Sequence, residues 1–283
     1  MPNQPQQLIT VQEAVNQIKT MIEDAIRIGG EAAKNNLIRT QAPINLLHNV
    51  VKAEFIRNGV NPMLIKPQYG ASSPELDLAG YFKRKNQDVC VTPNDIRPTT
   101  ETLSFDGILN GTSDPYGSAY TEKILSVNVR SQLSSVAKNF DTLYERTFAE
   151  ALNLHLRCPN MVLGEFYMIP VYEYDDSAAR QNRVAFKPNT NISSHIEKYA
   201  LSFNAVNNRP SVVGNEFRYE RVCLLIVDFN HATPIIYNTN NDLIAAGLLP
   251  FTSIATIDNM NFPTFVSSLL STYETRFGQN KFT

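Results

Sequence analysis

Chemistry in this chain must rest on oxygen and charge, because the other reactive residue types are not grouped. His48, His155, His195 and His231 stand alone, with no HxH or HExxH spacing, and none is assigned to a metal. Cys90, Cys158 and Cys223 are an odd set without a CxxC pair, which fits a reducing compartment and no zinc site. No GxxxxGKS/T, GxGxxG or GxSxG is present, so nucleotide-dependent and serine-hydrolase chemistry have no support. What remains is a set of carboxylates and cations on separate segments. Asp77 lies in PELDLAGYF, Asp106 in SFDGILN and Glu54 on a helical pattern; a polar run, Asn128-Val129-Arg130-Ser131-Gln132, ends a β-rich stretch. Lys83-Arg84-Lys85 forms one basic cluster, and Arg180, Arg183 and Lys187 form another. Each has an ordinary role too. An Asp at a strand start is by default a turn or cap residue, acids on amphipathic helices are solvated, and a basic hairpin tip is exposed.

These residues need elements to hold them. The stretch 124–171 reads as strand, helix and strand. Ile124, Val127 and Val129 sit in a β-rich run that stops at Ser131-Gln132. Leu133, Val136, Phe140, Leu143, Tyr144, Thr147, Phe148, Ala151 and Leu154 then recur at helical steps, which predicts about six turns ending before Cys158-Pro159. Residues 161–169 are short and almost continuously apolar, the mark of a strand buried on both faces. Together they predict a parallel α/β unit with a right-handed crossover. Ahead of it, Thr10 and Glu13 make a capping box for a helix reaching Gly29-Gly30, and residues 43–57 carry a second helical pattern. Residues 67–97 have β character with a basic turn at Lys83-Arg84-Lys85. LSFDGILN and KILSVNV read as strands joined by a turn-rich segment, so Asp106 is expected beside Asn128 across one hairpin. Beyond residue 171 come a polar loop, a helix near 192–203, a buried strand at 222–229 and an edge strand at 234–237.

Composition sets outer limits. With 283 residues and 43% apolar content the chain can bury a large core, read as a single domain: an N-terminal helical layer (1–60), a core (61–230) and a C-terminal extension (231–283). Basic and acidic residues nearly cancel, 25 against 27, which argues against a non-specific polyanion binder but leaves room for a nucleic-acid groove on one face. No basic and apolar leader and no long apolar run appears, so a soluble, cytoplasmic protein is expected. The first nine residues are polar and expected to fray.

The order helix, β-meander, helix, buried strand, together with these acids, resembles the type II restriction endonucleases of the PD-(D/E)xK superfamily. The resemblance implies an α/β fold with a restriction-endonuclease-like core, a mixed central sheet flanked by helices, and hydrolysis of double-stranded DNA by a homodimer with Mg²⁺. Asp77 or Asp106 would be the first metal ligand, Glu54 an additional one, and the second half of the signature would fall on Asn128, Arg130 and Gln132. The chemistry requires a cation that polarises the phosphoryl oxygens and lowers the pKa of the attacking water. Phosphate contacts are expected from Lys83, Arg84 and Lys85, or from Arg180, Arg183 and Lys187.

The chain departs from that pattern where it matters. Asn128 replaces an acid and brings no charge, and Arg130 replaces a lysine with a guanidinium fork. Some members of the superfamily recruit a carboxylate from the following helix, where this chain has Asp141, Glu145 and Glu150. Two functions are therefore carried forward: a Mg²⁺-dependent, sequence-specific DNA endonuclease, and an inactive relative that keeps the fold as a DNA-binding or protein-interaction module. For Arg130 the alternatives are a phosphate contact or an ion pair with Glu145 or Glu165 that closes the sheet edge.

Overall fold

The computed structural model of the chain describes residues 7–188 and 191–283. The expected fraying of the first nine residues concerns a segment that lies mostly outside the described residues. Thr10 and Glu13 form the capping box reciprocally and start α1 (Val11–Arg39). The chain leaves helical geometry at Gly29-Gly30 but does not stop there. Gly30, at φ +64°, turns the axis, and the helix resumes to Arg39. Only glycine serves at that turn, because a Cβ would also lie 2.8 Å from the Ala179 carbonyl oxygen. Thr40 then caps α2 (Gln41–Arg57).

The strands and helices that follow are β1 (Ile65–Lys66), β2 (Leu76–Ala79), β3 (Arg84–Gln87), β4 (Val89–Val91), β5 (Glu101–Thr102), β6 (Ser113–Asp114), α3 (Ser118–Thr121) and β7 (Leu125–Ser131). After them come α4 (Phe140–His155), β8 (Val162–Pro170), α5 (Asp176–Ala179), α6 (Ile192–Val206), β9 (Arg221–Asp228), β10 (Ile235–Tyr237), α7 (Asn240–Ala245) and α8 (Phe262–Phe277). One mixed six-stranded sheet has the order β1-β4-β7-β8-β9-β10. The pairs β7-β8 and β8-β9 are parallel, and the outer pairs are antiparallel. The parallel α/β unit and the edge strand are as expected.

Alternation along the strands sends side chains to two cores. Val127, Val129, Phe166, Met168 and Leu225 face α1, α2 and α8. Leu163, Tyr167, Ile169, Leu224 and Ile226 face α4 and α6. All nine residues of β8 are buried, which is why that segment shows no polar alternation.

Three expectations are corrected. The helix after β7 begins at Phe140 and not at Leu133, because Ser135 sits at φ 55° and the Gln132 amide and the Glu173 carboxylate bond the backbone of Ser135 and Val136. LSFDGILN is not a strand beside β7. Residues 104–112 turn back on themselves through Gly107 and Gly111, both at positive φ, and the antiparallel neighbour of β7 is β4, with Val89 opposite Val127. The C-terminal segment, read as an extension of the 61–230 core, is built into it, since Phe265, Val266, Leu269 and Tyr273 of α8 complete one core. No helix among the described residues is long and apolar enough to cross a membrane.

If α8 is part of the core, Leu269→Ala should cost about 2–5 kcal/mol, because a fully buried leucine leaves a cavity. Urea unfolding would show this as a lower midpoint at unchanged slope. A shift below about 0.5 kcal/mol, the size typical of a surface position, would contradict it.

Candidate functional site

The site is built around the C-terminal end of β7. Parity puts Asn128, Arg130 and Gln132 on the α4 and α6 side of the sheet. Their roles diverge from there. The Gln132 amide oxygen accepts from the Tyr167 hydroxyl at 2.8 Å and the Tyr199 hydroxyl at 2.9 Å, while its nitrogen donates to the carbonyls of Ser135 and Val136. It is a buried hub that shapes the entry to α4.

Arg130 spreads its fork between two carboxylates. One terminal nitrogen donates to Glu165 of β8 and to the Thr147 hydroxyl at 3.0 Å, and the other donates to Glu150 of α4. Lys85 of β3 also reaches Glu150 and donates to the Asn128 amide oxygen at 3.1 Å. Arg146 adds a contact to Glu150 at 3.3 Å. Asn128 in turn donates to the Tyr219 hydroxyl at 3.3 Å, and that hydroxyl donates to the Thr147 carbonyl.

Burial and charge compete throughout this network. Burial pushes the Glu150 carboxyl up, but Arg130 and Lys85 outweigh it and hold the group below its ordinary value. Glu165 is more deeply set, and burial pushes its carboxyl up to about 7 against the pull of Arg130. Its second oxygen has no partner among the described residues. Burial pulls Arg130 down, and Glu165, Tyr219 and Glu150 more than reverse that. For Lys85 burial wins over Glu150, and its ammonium lies below the usual lysine range.

On the other side of β7 the chain kinks at Asp88, between β3 and β4. The kink costs the Val129 N–H a strand partner, and an Asp88 carboxylate oxygen accepts it at 2.8 Å instead. Glu75 immediately precedes β2 and Asp88 immediately follows β3, so both acids lie at the open end of the hairpin whose last pair is Leu76 and Gln87. The two like charges are near enough to repel each other. Burial raises the Glu75 carboxyl, and Asp88 raises it further. Beneath this pair, on one face of α2, lie His48 and Lys52. Lys52 is fully buried and donates to the Ala71 carbonyl at 2.7 Å; burial brings its ammonium down to about 8 against the opposite pull of Glu75 and Asp88. His48 has a buried Nε2 with no partner among the described residues and is also shifted down by burial. An open cleft of ≈ 330 Å³ runs over Asp88, Lys85 and Arg130, between the α1-α2 junction at Thr40 and the α4 residues Arg146 and Glu150.

The acids chosen from the sequence do not converge here. Asp106 is exposed on the 104–112 turns. Asp77 faces Arg84, which donates to it at 2.6 Å, within a separate group that includes Asp114. Glu54 points toward Arg57 and Asn58. The basic run is not a turn. Lys83 is exposed at the hairpin tip, but Arg84 and Lys85 begin β3, so alternation sends Arg84 to Asp77 and Lys85 into the site. Arg183 lies on the loop after α5 and bonds Gln181, Arg180 pairs with Glu31, and Lys187 pairs with Asp176 at 2.7 Å and Glu173. Of the three α4 acids, Glu150 is at the site, while Asp141 and Glu145 are exposed. Arg130 pairs with Glu165, as one alternative held, and with Glu150. Glu75, Asp88 and Lys52 were not singled out. A hairpin over residues 76–87 tipped at 80–83 is the signal that brings the two acids to the same end of one ribbon.

Among the described residues no group of three or more His, Cys, Asp or Glu side chains could hold a metal ion. No protein-family model matches the chain, and neither a curated protein nor a solved structure matches it significantly.

Arg130→Ala strands two buried carboxylates and should lower stability by about 3–5 kcal/mol, read as a fall in melting temperature. An unchanged melting temperature would mean that the network carries no stability. Glu165 gives a pH signature. Its folded pKa, about 7, is above its ordinary 4.5, so the folded state holds the proton longer and the wild type loses stability as pH rises from 4.5 to 7. Glu165→Gln removes that loss, so the urea midpoint of the variant relative to wild type should rise between pH 5 and pH 8. A flat or falling difference would contradict the assignment.

Proposed function

We propose that the chain is a Mg²⁺-dependent endonuclease acting on double-stranded DNA, with Glu75 and Asp88 as the paired carboxylates in place of Asp77 or Asp106. The observation that carries this reading is the like-charged pair itself. Two carboxylates at the open end of one hairpin, Glu75 raised first by burial and then by Asp88, are a repulsion that a divalent cation would relieve. The donor set fits Mg²⁺, which takes hard oxygens from one or two carboxylates and keeps several waters, so a three-residue cage is not required. Bound there, the ion would supply Lewis-acid polarisation of a phosphoryl oxygen and a more acidic water.

The chain's own residues do the rest. Asp88 is fixed by its bond to the Val129 N–H, at the start of β4 and directly beside β7. Lys85, three residues away along β3, places a cation within electrostatic reach of Glu75, Asp88 and Glu150. Such a cation stabilises charge developing on a phosphate. Lys52 lies behind the pair and moderates its repulsion from the protein side. In this reading Asn128 and Arg130 organise the floor of the site, and the order α2, β4, β7, α4, β8 is the restriction-endonuclease-like core. The homodimer belongs to the proposal through the two-fold symmetry of a palindromic site. Three buried free thiols accord with a cytoplasmic setting.

One observation favours the second function, an inactive DNA-binding or interaction module: Glu150, the acid that could stand in for Asn128, is already held by Lys85, Arg130 and Arg146. The two readings part on one experiment. Purified protein incubated with a complex DNA and Mg²⁺ should yield discrete fragments, and Glu75→Gln and Asp88→Asn should each abolish them. Neither change should lower the melting temperature, because each removes one of two neighbouring like charges and the amide oxygen introduced by Asp88→Asn can still accept the Val129 N–H. Cleavage at the wild-type rate in both variants would end the nuclease assignment to this pair, and absence of fragments from the wild type would select the binding module.

A further inference from the structure

A different feature of the same cleft concerns how a strand is held and not how it is cut. Three cations converge on Glu150 from three elements: Lys85 from β3, Arg130 from β7 and Arg146 from α4. Their charge is not distributed evenly in depth. The carboxylates lie inside, Glu150 at 4% side-chain exposure and Glu165 at 0%, whereas the cations lie outward, Lys85 at 17%, Arg130 at 15% and Arg146 at 63%. Arg146 uses only Nε on Glu150; its two terminal nitrogens make no hydrogen bond among the described residues. Lys85 has three donors and two acceptors, Asn128 and Glu150. The residues with spare donors line a cleft of ≈ 330 Å³ that is also bordered by Thr40 and by the apolar residues Ile38 and Ile44. Asp88 is the acid that also borders the cleft, and it is turned to the Val129 N–H.

We infer that this cleft is a phosphate-binding subsite for a nucleic-acid strand, with the terminal nitrogens of Arg146 as the outer fork and the Lys85 ammonium and Arg130 as its floor. Planar guanidinium forks match two phosphoryl oxygens at once, and here the Glu150 carboxylate holds the Arg146 fork in place at its Nε end. The apolar wall at Ile38 and Ile44 accommodates a sugar or base edge beside the phosphate, a surface that a free inorganic phosphate would leave unused. The subsite needs no metal. It rests on the nuclease reading only for the choice of a nucleic acid as the source of the phosphate.

The test is binding without cleavage. Wild type, Arg146→Ala and Arg27→Ala are titrated in EDTA with a fluorescently labelled mixed-sequence DNA duplex and, separately, with inorganic phosphate. Arg27 is a half-exposed arginine on α1 that serves as the charge-matched control. Arg146→Ala should weaken duplex binding roughly three- to tenfold and reduce the salt slope by about one, while Arg27→Ala leaves both unchanged. Equal effects of the two substitutions, or none from Arg146→Ala, overturn the proposal. Binding of inorganic phosphate that depends on Arg146, without binding of the duplex, overturns the assignment to a nucleic-acid strand. Glu75→Gln removes an acid from the hydrolytic pair and should leave duplex binding as tight or tighter, so a failure of cleavage and a failure of this subsite are read separately.

Discussion

The structure depends most on a buried charge network at the centre of its sheet, where Arg130 joins Glu165 of β8 to Glu150 of α4 and Lys85 brings in β3. Hydrophobic burial is non-directional and would tolerate α4 at many angles over the sheet. The network would not. Each displacement of α4 separates charges that sit where water cannot replace the partner, at a cost of several kcal/mol per ion. The contacts tie four elements together: β3, β7, α4 and β8. They also explain why this stretch of β7 is polar in the middle of an apolar sheet.

A second buried cluster does the same work further along. Glu220, just before β9, is held by Arg209, Arg276 of α8 and His155 of α4, and accepts the Leu163 N–H at 2.7 Å. Burial opposes its charge, but His155 and Arg276 bring its carboxyl down to about 2. Helices from opposite faces of the sheet, α4 and α8, thus meet on one carboxylate. The two clusters hold the C-terminal half of α4, Glu150 past its middle and His155 at its last turn. Glu150, the inner wall of the cleft, is anchored for that reason, and anchoring is what a site built on spare donors requires.

Against these satisfied charges, the Glu75 and Asp88 pair stands out as unsatisfied. Lys52 lies below it, and no cation is bonded to either acid among the described residues. Structural ion pairs neutralise themselves, whereas functional sites keep local charge that is resolved only when something binds. That contrast separates the groups that hold the fold from the groups proposed to act.

The amino-acid sequence alone determined the elements whose signal is local. The Thr10 and Glu13 cap, the apolar run of β8, the parallel unit of β7, α4 and β8, and the edge strand at Ile235 are legible because capping, periodicity and proline act over a few residues. It also marked Asn128 and Arg130 as a polar strand end and offered Glu165 as a partner for Arg130. Tertiary structure decided which acids meet. Asp106, Asp77 and Asp88 are all plain aspartates in sequence; one became a solvated turn, one an arginine partner and one the neighbour of Glu75 at the open end of the β2-β3 hairpin, because β4 and not LSFDGILN took the place beside β7. A three-residue strand buried on both faces wins that place through contacts distant in sequence, and such contacts leave no periodic trace in the chain. The same holds for α8, whose seat on the sheet is set by the shape of the core it completes.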